Sequence, residues 1–183
     1  MPKTAAKLTY KDYLHFPEDL LRHEIIDGEH YVTPSPITKH QKVSINLVVV
    51  LHNWVSAKSL GTILSAPIDV VFSNTDIFVP DIIFISTARA SVIHHKNIQG
   101  APDLIIEILS PSTSTRDLGI KKASYEKFGV SEYWVVDPEK QTVDIFTVIG
   151  AKFSVPKHLT VHDLLSSTIF QGLQISVKTI FES

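Results

Sequence analysis

The chain of 183 residues contains 17 basic and 19 acidic residues, carries a net charge of −2 and has no cysteine. This balance excludes binding of nucleic acid through an extensive basic surface and leaves only a local patch or a deep cleft, while the missing cysteines exclude disulfides and cysteine-ligated zinc. No apolar run approaches the roughly 20 residues of a membrane span, and the charged start lacks the apolar segment of a signal peptide. We therefore expect a cytoplasmic protein, with no membrane as partner, that has a flexible tail at residues 1–7 and one domain at residues 8–183.

The first third of the sequence predicts two helices around a β-hairpin. Residues 8–21 are expected to form a short helix interrupted near Pro17. Residues 23–32 contain Asp27-Gly28, the two-residue turn typical of a hairpin. A helix is expected from about Thr38 to Lys58, because apolar residues recur there at 3.6-residue spacing. The members of this stripe are Val43, Leu47, Val50, Leu51 and Trp54.

The remaining sequence predicts strands and a second long helix. The strand candidates are residues 62–65, 68–73, 81–86, 104–109, 133–136 and 143–148, with an edge strand at 173–177. Residues 87–100, which include His94 and His95, are expected to form a short helix and an exposed loop. The second long helix, from about Thr115 to Phe128, begins with a capping-box pattern at residues 114–117. This order predicts an α/β fold, with a mixed sheet flanked by helices.

Glu107 interrupts the most apolar of these strands. Its neighbours are all aliphatic: Leu104, Ile105, Ile106, Ile108 and Leu109. Such a run is typical of a strand buried on both faces. Burial of an unpaired carboxylate costs several kcal/mol, so Glu107 must be protonated, paired with an interior cationic side chain, or bound to a metal ion.

Asp81 is the best candidate partner for Glu107. It follows Pro80 at the start of another apolar strand, and neighbouring strands lie about 4.8 Å apart. Two carboxylates that close repel unless a cation neutralises them, and Mg²⁺ takes one or two carboxylates together with waters and phosphate oxygens. Asp103 shares the face of Glu107, but four residues along a strand span about 13 Å, too far to share one ion. On its own, Asp81 would be interpreted as a turn residue at a strand entry.

The helix after Glu107 carries a lysine on its apolar stripe. Leu118, Lys121, Tyr125 and Phe128 recur at spacings that place them on one helix face. Lys121 needs an anion there, either the carboxylates or a bound phosphate, although a side chain reaching from a half-buried face to solvent is the structural alternative. Two acids, a metal ion and a lysine can hydrolyse a phosphodiester. The metal activates a water and holds a phosphate oxygen, and Lys121 orients the water or offsets charge.

Five segments of the sequence carry a resemblance to a known family. They are His23–Glu29, Val79–Phe84, Ala101–Thr113, Asp117–Lys121 with Tyr125, and Gly129–Pro138. In this order they closely resemble the Uma family of restriction endonucleases, within the PD-(D/E)XK nuclease superfamily. The likeness extends from about Leu8 to Phe181.

The resemblance implies a restriction-endonuclease-like core in which Asp81 and Glu107 are metal ligands and catalytic residues. The superfamily usually has a lysine two residues after the glutamate, where this sequence has Leu109. In this family the lysine lies on the following helix, which matches Lys121. Glu24 matches an acidic position that assists the metal site, although a surface residue of the hairpin is the alternative interpretation.

The same resemblance implies three further residues as auxiliary members of the site. His40 and Gln41 match a recurring position near the start of the long helix, and Tyr125 lies within the matched pattern. A histidine there is otherwise an ordinary helix-start residue.

The sequence supports two functions of different classes. The first is a Mg²⁺- or Mn²⁺-dependent endonuclease that acts on DNA, with Asp81, Glu107, Lys121 and Glu24 as its catalytic residues. Its DNA-cleaving form is expected to be a homodimer, because cutting both strands of a duplex requires two sites related by a two-fold axis. The second is a catalytically inactive nuclease fold that acts as a nucleic-acid-binding or regulatory module. A nuclease specific for RNA or for a DNA structure cannot be distinguished from the first by sequence.

Overall fold

The computed structural model describes residues 6–19 and 21–182, and most of the predicted tail, residues 1–5, lies outside this part of the chain. The α-helices are α1 (Tyr10–Tyr13), α2 (Thr38–Ala57), α3 (Ser114–Arg116), α4 (Lys122–Lys127) and α5 (Val177–Phe181). A 3₁₀-helix spans Thr87–Val92, and a π-helical turn at Asp117–Lys121 joins α3 to α4. Among the described helices, none combines the length and apolar character needed to cross a membrane.

The strands divide into two large sheets and one small one. They are β1 (Arg22–Ile26), β2 (Glu29–Thr33), β3 (Gly61–Ser65), β4 (Val70–Ser73), β5 (Asp76–Phe78), β6 (Ile82–Ser86), β7 (Ile98–Gln99), β8 (Leu104–Ile108), β9 (Glu132–Asp137), β10 (Thr142–Ile149), β11 (Lys152–Phe153), β12 (Lys157–Leu159), β13 (Leu164–Leu165) and β14 (Ile175–Ser176). One sheet has the order β2-β1-β5-β4-β7. The other has the order β11-β10-β9-β8-β6-β3, with β12 added to β10. Both are mixed, because β4 pairs with β7 and β8 pairs with β9 in parallel.

The central strands β6 and β8 are buried on both faces, as predicted for the Glu107 strand. Their alternate side chains enter two apolar clusters. The first cluster includes Phe84 and Ile106 together with Leu47 and Leu51 of α2, and the second includes Ile83 and Ile105. The strand that carries Glu107 therefore lies in the middle of the molecule, and β6 lies beside it.

The predicted hairpin and long helix are both confirmed. Asp27 and Gly28 have φ values of 50° and 79°, the positive angles that a two-residue turn of this kind requires. Helix α2 buries Val43, Leu47 and Leu51 as expected. Val50 and Trp54 are only partly buried, and Val55 takes the place on the buried face that was assigned to Trp54.

Two element predictions at the ends of the chain are wrong. The helix expected over residues 8–21 is limited to Tyr10–Tyr13, where the side chain of Asp12 caps the backbone of Thr9. The chain then leaves the helix, and the ring of Phe16 packs against His30. The expected edge strand at residues 173–177 contributes only Ile175–Ser176, which pairs with β13 in a separate sheet before α5 begins. Five short strands, β5, β7, β11, β12 and β13, were not predicted.

The second long helix differs from its prediction in a way that matters for the site. Thr113, not Ser114, precedes the first helical residue, so the predicted capping box is wrong. The π turn then inserts one extra residue into the helical repeat. As a result Leu118 is 47 % exposed, although its spacing predicted burial, and Asp117 is buried in its place.

Candidate active site

Asp81 and Glu107 lie opposite each other on neighbouring strands. Strand β6 pairs antiparallel with β8, and Ile82 faces Ile106. One step further along this register brings Asp81 opposite Glu107, on the same face of the sheet. The backbone N–H of Ile108 donates to Oδ2 of Asp81 at 2.8 Å, which fixes the aspartate at the end of its strand. The structure thus brings together the two carboxylates that the sequence pairs, both at most 4 % exposed.

Asp81 is held by an arginine and a histidine from the N-terminal part of the chain. Nη1 of Arg22, at the start of β1, donates to Oδ1 at 2.6 Å. Nε2 of His40, in the first turn of α2, lies 3.0 Å from Oδ2. Burial alone would raise the pKa of Asp81, but the hydrogen bond and charge of His40, together with Arg22, outweigh it and lower the pKa to about 2. Asp81 is therefore ionised at neutral pH.

Glu107 is held from the opposite side by the crossover helix. Nζ of Lys121 lies 3.0 Å from Oε1, and the Tyr125 hydroxyl donates to the same oxygen at 2.6 Å. Burial raises the pKa of Glu107, and the carboxylates of Asp117 and Asp81 add to this effect against the opposing charge of Lys121. Both described donors use Oε1, so Oε2 is the oxygen that remains for a further partner.

Lys121 lies among three carboxylates. Its Nζ is 2.9 Å from Oε1 of Glu24, 3.0 Å from Oε1 of Glu107 and 3.6 Å from Oδ1 of Asp117. Burial would lower the pKa of Lys121, but these three anions outweigh that cost and raise it. Lys121 is therefore a permanent ammonium at this position, and it does not extend to solvent.

Glu24 belongs to the same buried network and is not a surface residue of the hairpin. Its Oε1 also accepts a hydrogen bond from the backbone of Val79 at 3.0 Å, and Arg116 lies 3.4 Å from its Oε2. Glu24 thus joins β1 to the segment before Asp81. This contact explains why an acidic residue is tolerated at a position that is 2 % exposed.

Asp117 and Arg22 are the main site residues that the sequence did not indicate. Asp117 lies four residues before Lys121, a spacing that shares one helix face, and the π turn directs Leu118 away from that face so that Asp117 is the buried residue. The only local sign in the sequence was Gly119, a weak helix former within the predicted helix. Arg22 could be found only by knowing that β1 lies beside Asp81, which is 59 residues away.

Other predicted residues have clear positions. Gln41 is exposed beside His40, and both line a cleft next to Asp81. Asp103 lies at the far end of β8, where it accepts from the backbone of Ser86 and pairs with Arg89, so it is separate from the site. His94 and His95 are exposed in the loop after the 3₁₀-helix.

The cleft beside Asp81 has a volume of about 450 Å³ and runs between β1 and α2. Its apolar wall consists of Leu21, Pro36, Ile45, Val48, Val49, Ala66 and Pro67. Arg22 and Asp81 lie at its polar end, and Arg22 is the one arginine or lysine that lines it within the described residues. A second cleft of about 250 Å³ lies on the other side of His40 and includes Ser110 and Lys140.

The carboxylates fit a divalent cation held by two protein ligands. Residues 6–19 and 21–182 contain no group of three or more histidine and acidic side chains arranged to hold a metal. Mg²⁺ requires only one or two carboxylates, since waters and phosphate oxygens complete its octahedron. Oε2 of Glu107 and the second lone pair on Oδ1 of Asp81 are the donors available for this purpose.

Comparison with known proteins identifies a family and a fold. The family model Uma2, described as "Putative restriction endonuclease", matches residues 10–178. A solved structure, a "putative nuclease belonging to DUF820" from Anabaena variabilis ATCC 29413, has the same fold, with a TM-score of 0.80 and 24% sequence identity over 95% of this chain and 97% of that chain. No protein with curated annotation matches the sequence.

Proposed function

Because the chain belongs to the Uma2 family of restriction-endonuclease-like proteins, we propose that it is a Mg²⁺- or Mn²⁺-dependent endonuclease that hydrolyses phosphodiester bonds of DNA. The observation that carries the proposal is the pairing of Asp81 with Glu107 across two buried strands, with the Lys121 ammonium 3.0 Å from Glu107. Two buried carboxylates that face each other repel, and such arrangements concentrate at functional sites.

Each residue of the network has a distinct role in this proposal. Asp81 and Glu107 hold the cation, which when bound supplies an activated water and positive charge beside the phosphate. Lys121 is already protonated, so it orients Glu107 and the attacking water and offsets negative charge in the transition state; it does not act as a base. Glu24 holds Lys121 from the other side, and Tyr125 directs Glu107 by its hydrogen bond.

His40 and Gln41 are assigned supporting roles. The ring of His40 holds Oδ2 of Asp81, so Oδ1 is the oxygen that would be available to a cation. Gln41 is exposed in the cleft beside His40, and its proposed role is a contact with substrate. A cytoplasmic homodimer cutting both strands of DNA is part of the proposal, and sedimentation at several protein concentrations tests the dimer.

A non-catalytic nucleic-acid-binding or regulatory module is the second candidate, and one observation favours it. Both oxygens of Asp81 already have partners, and Lys121 occupies the space between three carboxylates. An aspartate that is paired in this way needs no metal ion for its stability. The two candidates therefore differ in whether a divalent cation binds.

Thermal unfolding with and without Mn²⁺ separates the two candidates. For the endonuclease, an excess of Mn²⁺ at about 100 times its Kd should stabilise the wild type by about 2.7 kcal/mol, a rise of roughly 5–10 °C for a chain of this size. Glu107→Gln and Asp81→Asn should abolish the rise, and Glu182→Gln, a surface control, should retain it. Nicking of plasmid and cleavage of single-stranded DNA in the same buffer then test the activity.

The opposite result has a specific meaning. If Mn²⁺ leaves the wild-type Tm unchanged while Glu107→Gln lowers it strongly, Glu107 is part of a structural ion pair. The non-catalytic module would then be the better interpretation.

A further inference from the structure

The pairing of Arg22 with Asp81 leaves most of the guanidinium without a partner. Nη1 makes the 2.6 Å contact with Oδ1, but Nε is buried and has no hydrogen-bond partner among the described residues. A guanidinium carries five N–H donors arranged as a fork that matches a phosphate or carboxylate in two parallel hydrogen bonds. One hydrogen bond to one carboxylate oxygen therefore uses little of this capacity.

Arg22 also occupies the oxygen that a cation needs. Oδ2 of Asp81 already accepts from Ile108 and contacts His40, which uses both of its lone pairs. A cation at Asp81 must then bind Oδ1, within a few ångströms of the Arg22 guanidinium. Two positive groups on one oxygen repel each other, so binding of a cation weakens the pair of Arg22 with Asp81.

Arg22 lines an open cleft into which its side chain can turn when its pair with Asp81 weakens. Its side chain is 20 % exposed, and it lines the cleft of about 450 Å³ at the end next to Asp81. The described lining also includes the acidic residues Asp19 and Asp81, and Arg22 is its one arginine or lysine, so an anion that enters this cleft can pair only with Arg22 as a permanent cation. Burial would lower the pKa of Arg22, but Asp81 and the other acids raise it, so the group stays charged.

We propose that Arg22 forms a phosphodiester-binding subsite in this cleft, and that it exchanges its contact with Asp81 for a phosphate of the substrate when a divalent cation binds. The inference rests on the proposed function for the cation. It adds a substrate-binding residue outside the carboxylates and Lys121. It also predicts that Arg22 weakens the binding of the metal ion and strengthens the binding of nucleic acid.

Arg22→Gln tests the exchange through two binding measurements that do not depend on catalysis. The first is the Mn²⁺ concentration that gives half of the maximal rise in Tm, which should fall in the variant because a competing positive charge is gone. The second is the affinity for fluorescein-labelled oligothymidylate and for a labelled duplex in Ca²⁺, which should weaken roughly tenfold or more. The slope of log K against log salt should also fall, by about 0.7 for the single strand.

Two further variants complete the experiment. Arg22→Lys keeps the charge but loses the fork, so its Mn²⁺ dependence should stay near that of the wild type while its affinity for the oligonucleotide falls. This variant also covers the case in which Arg22→Gln leaves Asp81 too poorly held to fold. Arg89→Gln removes an arginine that pairs with Asp103 at the far end of β8, and it should change neither measurement.

The outcomes distinguish failure of this inference from failure of the proposed function. If the wild type binds Mn²⁺ and oligonucleotide but Arg22→Gln changes neither, Arg22 only holds Asp81 and the inference is wrong while the function stands. If the wild type binds neither Mn²⁺ nor nucleic acid, the proposed function fails and the inference fails with it.

Discussion

Glu132 shows that a buried carboxylate in this chain can be satisfied without any cationic side chain. It has no exposed surface. It accepts hydrogen bonds from the Trp134 indole at 2.8 Å, the Ser167 hydroxyl at 2.7 Å, and the backbone and hydroxyl of Thr168 at 2.8 and 2.6 Å. These bonds attach the segment before α5 to the start of β9, so the role of Glu132 is structural.

Glu132→Ala is expected to lower the free energy of unfolding by about 3 kcal/mol, because it leaves buried donors without an acceptor. Glu132→Gln should cost less but still destabilise, since its amide group faces donors. Urea unfolding followed by circular dichroism measures both. Glu139→Gln, on the exposed turn after β9, is the control and should stay within about 0.5 kcal/mol of the wild type. A wild-type midpoint for Glu132→Ala would show that the C-terminal segment is held by other contacts.

Asp69 has a pKa that links stability to pH away from the candidate site. Burial raises its pKa above the ordinary value of 3.8, and the hydrogen bond from the Tyr13 hydroxyl opposes this only in part. The folded protein therefore keeps this proton to a higher pH than the unfolded chain does. Stability falls as the pH rises from the unfolded value through the folded one, and it stays constant above that window.

Asp69→Asn should remove this slope, because the amide is neutral at every pH and its oxygen can still accept from Tyr13. The variant is expected to be more stable than the wild type at neutral pH, and the difference should vanish below the ordinary aspartate pKa. Urea midpoints across the acidic range measure this, with exposed Glu18→Gln as control. A difference independent of pH would show that the gain has another cause.

The candidate site could be predicted in part at the level of single residues, and the limits are physical. Glu107 and Lys121 lie where a charged group interrupts a local apolar pattern, and such interruptions are visible within a few residues. Asp81 was identified only as the partner that Glu107 requires and through the family resemblance. Arg22 lies in a polar stretch of the sequence, where an arginine conflicts with nothing. Its contact depends on strand pairing across a long loop, which no local pattern encodes.

At the scale of elements, the crossover from β8 to β9 is where the difference between the predicted and the observed structure affects the candidate site. A regular helix over residues 115–128 has the right length and ends, and it directs Lys121 correctly. The π turn changes the phase only before Lys121, so the lysine was predicted and Asp117 was not. The hairpin of β1 and β2 was predictable from the residues of its turn, and α2 was predictable from its apolar periodicity. The short strands β5, β7, β11, β12 and β13 were not predictable, because two or three residues have no period.

Gly119 offers a test of whether the π turn requires glycine. A Cβ at this position meets no atom within 4 Å. Gly119→Ala should therefore stabilise the protein by about 0.5–1 kcal/mol, because alanine loses less backbone entropy in a helix. The urea midpoint measures the gain. Gly61→Ala is the contrasting variant, since its Cβ would lie 2.1 Å from the carbonyl oxygen of Ile85, and it should be strongly destabilised. A loss of stability in Gly119→Ala would show that the turn depends on glycine.

At the scale of the whole molecule, three separate parts of the chain converge on the site. The hairpin supplies Glu24 and Arg22, the paired strands β6 and β8 supply the acids, and the crossover supplies Lys121. The buried network contains four carboxylates, on Asp81, Glu107, Glu24 and Asp117, and three permanent cations, on Arg22, Arg116 and Lys121. The network therefore has one more carboxylate than cations. A divalent cation together with one phosphodiester adds a single positive charge, which offsets this excess.

The parallel pairing of β8 with β9 has a consequence for how the molecule folds. Strands side by side in the same direction need a long connection, and here that connection is the helical segment that carries Lys121. Neither β9 nor Lys121 can take its place until the crossover has closed over the sheet. The amides of β8 lie between two neighbouring strands and exchange with solvent only when the whole sheet opens. We therefore expect the carboxylate cluster to be completed only after this crossover has closed.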